Sequence, residues 1–248
     1  MATSSSLAAR VGRFGWYHTI DLGDGVVTPG MFDHRPVLDR YRLPADLTGA
    51  RCLDVGTFDG FWAFEMERRG AAEVIGLDVD DPEELDWPAS LRHRVDKALD
   101  ETKPERFELA RSTLGSKVER VVHSIYELDP GVAGAFDLVF CGDVLLHLKD
   151  PVSALERMRS VCRGRVIVCN PIKEFRLARG RALAELDGVD EFQWWITNLA
   201  GLVRMVRAAG FARVTAGAPF ELPATGGGAW KGLRGVVEGH GDEEGMRP

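Results

Sequence analysis

The sequence predicts an α/β fold built on a mostly parallel sheet, and three apolar runs carry that prediction. The first run, Arg51 to Val55, ends at a glycine turn, and an amphipathic helical pattern begins at Phe61. The second run ends on Asp78, about 20 residues after the turn begins, where an acid can accept hydrogen bonds from a ribose diol. The third run, Phe136 to Cys141, is strongly apolar, which is typical of a central parallel strand covered on both faces. A strand, a tight turn, a helix and a distal acid in this order form the opening of a nucleotide-binding unit.

Composition limits the kind of protein. The chain has 248 residues, of which 45% are apolar and 28% charged, so we expect one large globular domain or one domain with a cap. The net charge of −7 argues against a general nucleic-acid coat and leaves a local basic patch open. No apolar run reaches membrane-spanning length, and residues 1–13 lack the apolar core of a secretion signal. We therefore expect a cytoplasmic protein without membrane contact.

Cysteine usage supports the same compartment. Most of the four cysteines, Cys52, Cys141, Cys162 and Cys169, fall inside apolar runs, which predicts buried free thiols in a reducing environment. No set of carboxylates, cysteines and histidines has the spacing of metal ligands, so the sequence predicts no metal. Both a monomer and a homodimer remain open.

The glycine turn indicates which nucleotide would fit. A dinucleotide fold uses G-x-G-x-x-G, because the pyrophosphate must approach bare backbone at a helix N-terminus. Here the turn runs from Gly56 to Gly60, and a pyrophosphate would meet the side chains of Phe58 and Asp59. This disfavours NAD and favours a ligand without phosphates, such as S-adenosylmethionine, whose ammonium group is attracted to acids near the turn.

At these residues the chain resembles class I S-adenosylmethionine-dependent methyltransferases. Their acid-x-Gly-x-Gly-x-Gly loop is present as Asp54 to Gly60 without the middle glycine, a variant similar to the bacterial tRNA wobble-uridine (carboxy)methyltransferases and their small-molecule relatives. The resemblance spans about Trp16 to Val237. It implies a Rossmann-like fold with a mostly parallel seven-stranded sheet, an antiparallel last strand and an N-terminal lid. The expected divisions are a flexible N-terminus (1–13), the lid (14–43), the methyltransferase domain (44–238) and a disordered acidic tail (239–248).

The segment before the first core strand predicts a lid over the ligand crevice. It carries an Asp24-Gly25 hairpin signal and two groups of aromatic and histidine residues. Trp16 or Phe32 could instead fasten the segment to the core. Arg35 is either a partner for the cofactor carboxylate or a solvated side chain. The candidate acceptor-binding residues of this segment are Trp16, Tyr17, His18 and His34.

Between the glycine turn and the third strand the pattern is regular. A helix with Phe64 and Met66 facing inward should end at Gly70, and a second helix, Pro104 to Leu114, should stop at Gly115. A strand from Val118 to His123 follows. In the family that the chain resembles, the next residues bracket the adenine, which implies that role for Ser124, Ile125 and Tyr126.

The stretch after the third apolar run resembles the family's fourth motif, which faces the methionine part and the acceptor. Asp143 is there an acceptor-binding candidate. His147 is the best general-base candidate, because it titrates near neutral pH at the ligand edge of the sheet, although a structural role remains open. The carboxymethyl enzymes have a tyrosine before this histidine and a basic residue after it. This chain has Leu146 and Leu148, which favours the ordinary cofactor over its carboxylated form.

The last third of the chain predicts the end of the sheet and a second aromatic cluster. A helix from Pro151 to Cys162 is capped by Asp150, and a fifth strand runs from Arg165 to Cys169. The irregular stretch 170–190 predicts either a solvated helical face or a phosphate-contacting patch, through Lys173, Arg176, Arg179 and Arg181. The segment from Phe192 to Asn198 precedes an amphipathic helix ended by Gly210. Two final strands, Arg213 to Ala216 and Leu233 to Val237, flank a mobile loop with Gly226 to Gly228 and Trp230.

The adjacent Trp194 and Trp195 cannot both face the core in an extended segment, so one is expected at the crevice, with Asn198 as a further acceptor contact. The cofactor residues implied by the resemblance and the turn are Asp54, Gly56, Thr57, Phe58, Gly60, Asp78, Val79, Ser124, Ile125, Tyr126, Cys141, Gly142 and Arg35.

These patterns predict an S-adenosylmethionine-dependent enzyme that methylates a small-molecule acceptor at oxygen or nitrogen. A tRNA wobble-uridine methyltransferase is the first alternative and requires a continuous basic surface. A nicotinamide oxidoreductase is weakened because no Tyr-x-x-x-Lys occurs. A binding protein without catalysis is the third alternative.

Overall fold

The computed structural model describes residues 2–93, 101–176, 180–222 and 232–241. Several predictions from sequence fall outside these ranges: those for Arg179, the loop with Gly226 to Gly228 and Trp230, and the acidic tail from residue 242. The helices are α1 (Ala2–Val11), α2 (Phe61–Arg68), α3 (Lys103–Leu114), α4 (Pro130–Ala133), α5 (Pro151–Val161) and α6 (Leu199–Ala208). The strands are β1 (Trp16–His18), β2 (Gly30–Phe32), β3 (Arg51–Val55), β4 (Glu73–Asp78), β5 (Glu119–Val122), β6 (Phe136–Gly142), β7 (Cys162–Ile172), β8 (Ala184–Leu186), β9 (Trp195–Thr197), β10 (Ala212–Ala216), β11 (Phe220–Glu221) and β12 (Leu233–His240).

The central sheet has the order β10-β12-β7-β6-β3-β4-β5. Strands β3 to β7 pair in parallel, whereas β12 pairs antiparallel with both β7 and β10. The α/β fold with an antiparallel strand near one edge is therefore confirmed. Because β4 and β5 lie on one side of β3 while β6 and β7 lie on the other, strand order reverses between β3 and β6. Ligands of such sheets bind outside the carboxyl ends of the strands at that reversal.

Both faces of the sheet are covered, as the apolar run at β6 predicted. Leu138 and Phe140 pack into a core with α2, α3 and the N-terminal segment, while Val139 and Cys141 pack into a second core with α5 and α6. All these β6 side chains are 1% exposed or less. Successive side chains of a strand point to opposite faces, so an uninterrupted apolar run is what a doubly covered strand requires.

The predicted helix boundaries agree closely with the structure. Helix α2 begins at Phe61, and α3 ends at Gly115, whose φ of +63° is the left-handed conformation of a helix C-terminus. Asp150 caps α5 by accepting a hydrogen bond from the Ser153 amide at 3.0 Å. Local capping chemistry, which is visible in sequence, therefore determines these ends.

Two regions differ from expectation. Residues 2–11, expected to be flexible, form α1, and the buried Val11 accepts a hydrogen bond from the indole of Trp16 at 3.0 Å. The stretch expected as a solvated helical face contains β8, which pairs antiparallel with β9 beside β7. Lys173, which follows β7, pairs with Glu185 of β8. The position of β8 depends on its pairing with β9 and, through β9, with β7.

Candidate active site

A cavity of about 290 Å³ lies at the carboxyl edge of the sheet, at the reversal between β3 and β6. It brings together most of the predicted cofactor and acceptor residues. Those that line it are Gly56, Phe58, Asp78, Val79, Ser124, Ile125, Tyr126, Gly142, Tyr17, His18, Asp143 and His147. Lining residues that the sequence did not single out include Trp62, Glu84, Leu85, Asp86, Lys103, His123, Val144 and Phe192.

The glycine loop is supported from below by residues that do not line the cavity. Asp54 is 1% exposed, and its carboxylate accepts a hydrogen bond from the Ala63 amide in the first turn of α2 at 3.1 Å. Burial raises the pKa of Asp54 to about 7. Thr57 lies under the loop against Gly76, where an added Cβ would come within 2.7 Å of the threonine hydroxyl. Asp54 and Thr57 therefore support the glycine loop on the side that faces away from the cavity.

Loop geometry explains the glycine at its end. Gly60 has φ of +94°, and a Cβ there would lie 2.5 Å from the ring of Phe64. Phe58 also has a positive φ, +53°, at the point where its amide donates to Asp78. Cys141 is fully buried beneath the cavity, and burial raises the pKa of its thiol. These residues therefore contribute backbone shape and support.

Asp78, at the carboxyl end of β4, accepts hydrogen bonds from several groups around the cavity. One carboxylate oxygen accepts the Phe58 amide at 2.8 Å, and the other accepts the Val79 amide and the Lys103 ammonium, each at 2.8 Å. Lys103 is 1% exposed, so this ion pair is buried at the cavity wall. The sequence did not predict Lys103, because a lysine at the start of a helix carries no local signal of a distant carboxylate.

The N-terminal segment is attached to the loop through Asp59. The amides of Tyr17 and His18 both donate to one oxygen of Asp59 at 3.0 Å, and Nδ1 of His18 contacts the other oxygen. Asp59 is completely buried. Asp59, whose charge disfavours a pyrophosphate at this loop, therefore also holds Tyr17 and His18 at the cavity.

Asp143 follows β6 and contacts two elements distant in sequence. Its carboxylate accepts a hydrogen bond from Nε of Arg234 at 3.0 Å and one from the Tyr17 hydroxyl at 3.5 Å, both on the same oxygen. The other oxygen is buried and has no hydrogen-bond partner in the described chain. Asp143 also has φ of +53°, which is uncommon for a residue with a side chain and is often found at functional sites.

His147 lies on the short 3₁₀ turn Leu145–His147, with its ring 4.6 Å from that of Phe192. Nδ1 contacts the carbonyl oxygen of Phe192, and since a carbonyl can only accept, Nδ1 carries the proton. Burial lowers the pKa of this imidazole below its usual value near 6.5. The ring is therefore neutral at physiological pH, and its Nε2 is an acceptor to which none of the described residues donates a hydrogen bond.

A strap, residues 80–93, covers one side of the cavity. Asp86 holds it there by accepting hydrogen bonds from the Tyr126 hydroxyl at 2.7 Å and the Lys149 amide at 2.8 Å. Trp87 stacks on Phe192 with ring centroids 3.8 Å apart. The sequence predicted only an irregular acidic connection here, because these partners come from three separate parts of the chain.

Six predicted site residues lie away from the cavity. Trp16 and His34 are buried in the core between the N-terminal segment and α2, and His34 shares a 2.6 Å hydrogen bond with the Tyr41 hydroxyl. Arg35 is paired with Asp33 at the surface. Trp194 donates from its indole to the backbone of Asp86, and Trp195 donates to the backbone of Lys149. The expectation of a tryptophan at the crevice is corrected, because Phe192 lies there instead.

Asn198, the sixth, caps α6 and holds the β8 hairpin. Its side-chain oxygen accepts from the amides of Gly201 at 2.8 Å and Leu183 at 3.1 Å. Asn198→Ala should therefore lower the free energy of unfolding by about 1 to 2 kcal/mol while leaving the affinity for S-adenosylhomocysteine unchanged. Urea unfolding and calorimetric titration check both parts. A loss of ligand affinity at unchanged stability would show instead that Asn198 belongs to the binding site.

The described chain contains no group of three or more histidine, cysteine, aspartate or glutamate side chains arranged to hold a metal ion. Within the same ranges, every helix is too short or too polar to cross a lipid bilayer.

The strand order and the loop-and-acid site define the class of protein as one with the class I methyltransferase fold. Residues 34–216 match the sequence profile of a family described as "Methyltransferase domain", and the chain belongs to that family. This membership confirms the predicted resemblance to class I S-adenosylmethionine-dependent methyltransferases.

Curated relatives are more distant. The tRNA U34 carboxymethyltransferase of Ectopseudomonas mendocina is 27% identical over 175 residues, covering 68% of this chain and 47% of that protein. The ubiquinone biosynthesis O-methyltransferase of Neisseria meningitidis serogroup C is 33% identical over 109 residues, covering 44% of this chain and 38% of that protein. The chain thus spans about half the length, or less, of these relatives.

Solved structures share the fold. The N-terminal domain of EvdMO1, crystallised with SAH and D-fucose, superposes with a TM-score of 0.64 at 17% identity and covers 96% of both chains. The 1,6-didemethyltoxoflavin-N1-methyltransferase of Burkholderia thailandensis has a TM-score of 0.52 at 16% identity, covering 78% of this chain and 71% of that one.

Proposed function

We propose that this protein transfers the methyl group of S-adenosylmethionine to a small-molecule acceptor at a hydroxyl or amine. The charge of the cavity carries this proposal. Among the described residues that line it are four carboxylates, Asp78, Glu84, Asp86 and Asp143, and one lysine, Lys103, which is already paired with Asp78. Arg234 and Lys149 pair with Asp143 and Asp86 from outside the lining. A polyanionic RNA entering this part of the cavity would therefore find no unpaired lysine or arginine to neutralise its phosphates, whereas a small neutral or cationic acceptor needs none.

The residues at the cavity suit the cofactor. From the described residues, Asp78 Oδ2 accepts one hydrogen bond, donated by the Phe58 amide, so it retains capacity for a ribose hydroxyl. Ile125 and its neighbours Ser124 and Tyr126 offer an apolar wall with polar groups beside it, as an adenine requires. When bound there, S-adenosylmethionine supplies an electrophilic methyl group.

Two features of the chain would assist the transfer. His147 is a neutral base whose Nδ1–H is held by the Phe192 carbonyl, so Nε2 is free to accept the proton of the acceptor hydroxyl or amine. Tyr17 and His18, held by Asp59, cover the cavity and exclude water from the reacting groups.

Comparisons support a small acceptor without deciding it. The EvdMO1 domain was crystallised with D-fucose and the Burkholderia enzyme with 1,6-didemethyltoxoflavin, both small molecules. The second candidate acceptor is a tRNA wobble uridine, which the carboxymethyltransferase relatives favour. The match to this relative covers 47% of its length.

A labelling experiment tests the proposal. The protein is incubated with S-[methyl-³H]adenosylmethionine and either a deproteinised small-molecule extract or bulk tRNA from the cells that produce it. Label should enter the small-molecule fraction and depend on Asp78, so Asp78→Ala serves as the control. Label in tRNA would replace the proposed acceptor with the second candidate, and label in neither fraction would contradict both.

A further inference from the structure

His18 presents one ring nitrogen to the cavity. Its side chain is 5% exposed and lines the cavity, whereas Asp59, which engages its Nδ1 atom, and Phe61, on which its ring stacks, do not. None of the described residues makes a hydrogen bond to Nε2 of His18. This nitrogen is also not one of the fully buried, unpartnered atoms of the described chain, although Nε2 of the neighbouring His34 is. The accessible edge of the His18 ring is therefore the one that carries Nε2.

Asp59 determines which nitrogen of His18 carries a proton. One oxygen of this completely buried carboxylate accepts the amides of Tyr17 and His18, and the other contacts Nδ1 of His18, so Nδ1 donates to it. Nε2 is then able to accept a hydrogen bond when the ring is neutral and to donate one when the ring is protonated. A hydroxyl group is a partner for either form, because it both donates and accepts.

His18 and His147 border the same end of the cavity. The proposed ribose acceptor, Asp78, ends β4, and β4 and β6 lie on opposite sides of β3. On the β6 side, the Tyr17 hydroxyl donates to Asp143, which lies between β6 and the 3₁₀ turn that ends at His147. Two imidazoles therefore meet the part of a bound ligand that extends beyond the adenosine. In each, the protein holds Nδ1, and none of the described residues bonds to Nε2.

We infer that Nε2 of His18 binds a hydroxyl group of the acceptor in addition to the group that is methylated. The inference rests on the proposed function, in which His147 takes the proton of the methylated group. An acceptor with one polar group would leave the second imidazole nitrogen unpaired in a cavity from which water is excluded, and that arrangement costs free energy. His18 is therefore a specificity-determining residue, which favours polyhydroxylated molecules, whether aliphatic or aromatic, over molecules with a single polar group.

Replacing His18 with asparagine tests this contact, because the shorter amide still donates to Asp59 and removes Nε2. The acceptor is the molecule purified from the small-molecule extract by its label. His18→Asn should raise the KM for this acceptor by about 10-fold and change kcat by less than about threefold. Its affinity for S-adenosylhomocysteine, measured by calorimetric titration, should equal that of the parent protein. His18→Gln, whose longer amide reaches the position of Nε2, should recover part of the loss.

His34→Asn is the matched control, since His34 packs beside His18 with ring centroids 5.1 Å apart but does not line the cavity. It should leave the KM unaltered. Acetylation of the purified methylated product, followed by mass spectrometry, should detect at least one remaining hydroxyl, and ultraviolet absorbance distinguishes an aromatic product from an aliphatic one. An unchanged KM in His18→Asn, a parallel loss of S-adenosylhomocysteine affinity, or a product without a remaining hydroxyl would overturn the inference. Absence of label from the small-molecule fraction with the parent protein would instead contradict the proposed function.

Discussion

Replacing Asp78 with alanine should abolish the binding of S-adenosylhomocysteine and lower the stability of the fold by about 3 to 5 kcal/mol. Binding is lost because the ribose acceptor is removed. Stability is lost because Lys103, which is 1% exposed, is left buried without its partner, and because the Phe58 and Val79 amides lose their acceptor. Calorimetric titration measures the first effect, and chemical unfolding measures the second.

The double variant Asp78→Ala/Lys103→Met separates the two effects. Removing both charges avoids the uncompensated lysine, so much of the lost stability should return. The ribose contact stays absent, so binding should not return. If Asp78→Ala bound S-adenosylhomocysteine as well as the parent protein, the assignment of Asp78 to the ribose would be wrong.

Replacing His147 with asparagine should lower kcat by about 10²- to 10⁴-fold once an acceptor is identified, because proton removal would lose its base. The pH dependence of kcat should also show that His147 acts as a base. A base acts in its neutral form, and burial lowers the pKa of His147, so activity persists as pH falls through 6.5 and declines only below the lowered pKa. His147→Asn should remove this acid limb and leave S-adenosylhomocysteine affinity within about twofold of the parent.

His240→Asn is the matched control for that change. Burial also lowers the pKa of His240, but this residue ends β12 beside Arg165 at the opposite edge of the sheet. Its replacement should leave both kcat and the acid limb unaltered. If kcat survived in His147→Asn, then the acceptor would already be acidic, and His147 would serve packing against Phe192.

Much of the cofactor side of the site could be predicted from sequence. The turn from Gly56 to Gly60, the distal Asp78 and the residues after β5 are local patterns, in which glycine conformations and strand ends determine where backbone meets ligand. The structure places six of these residues at one cavity, namely Gly56, Phe58, Asp78, Ser124, Ile125 and Tyr126. Asp54, Thr57 and Cys141 lie just beneath it, because a strand pattern does not reveal which neighbours a loop residue packs against.

The acceptor side was harder to predict. The tryptophan pair satisfies its indole donors on the backbones of Asp86 and Lys149, and Phe192 takes the cavity position. Arg35 is paired locally with Asp33, and Asn198 is engaged in capping. The hydrogen-bond donors and acceptors of aromatic and polar side chains in irregular segments can be satisfied by several different partners. The local sequence does not show which of these partners lies nearby in the folded chain.

By itself, the sequence determined the class of fold and the boundaries of helices such as α2, α3 and α5, because these follow from hydrophobic periodicity, capping and turn chemistry over a few residues. Tertiary structure alone decided the pairing of Asp78 with Lys103, of Asp143 with Arg234, and of His147 with Phe192. Those pairs join residues 25 to 91 positions apart. Charge and hydrogen-bond complementarity over such separations exist only after the sheet has brought the strands together.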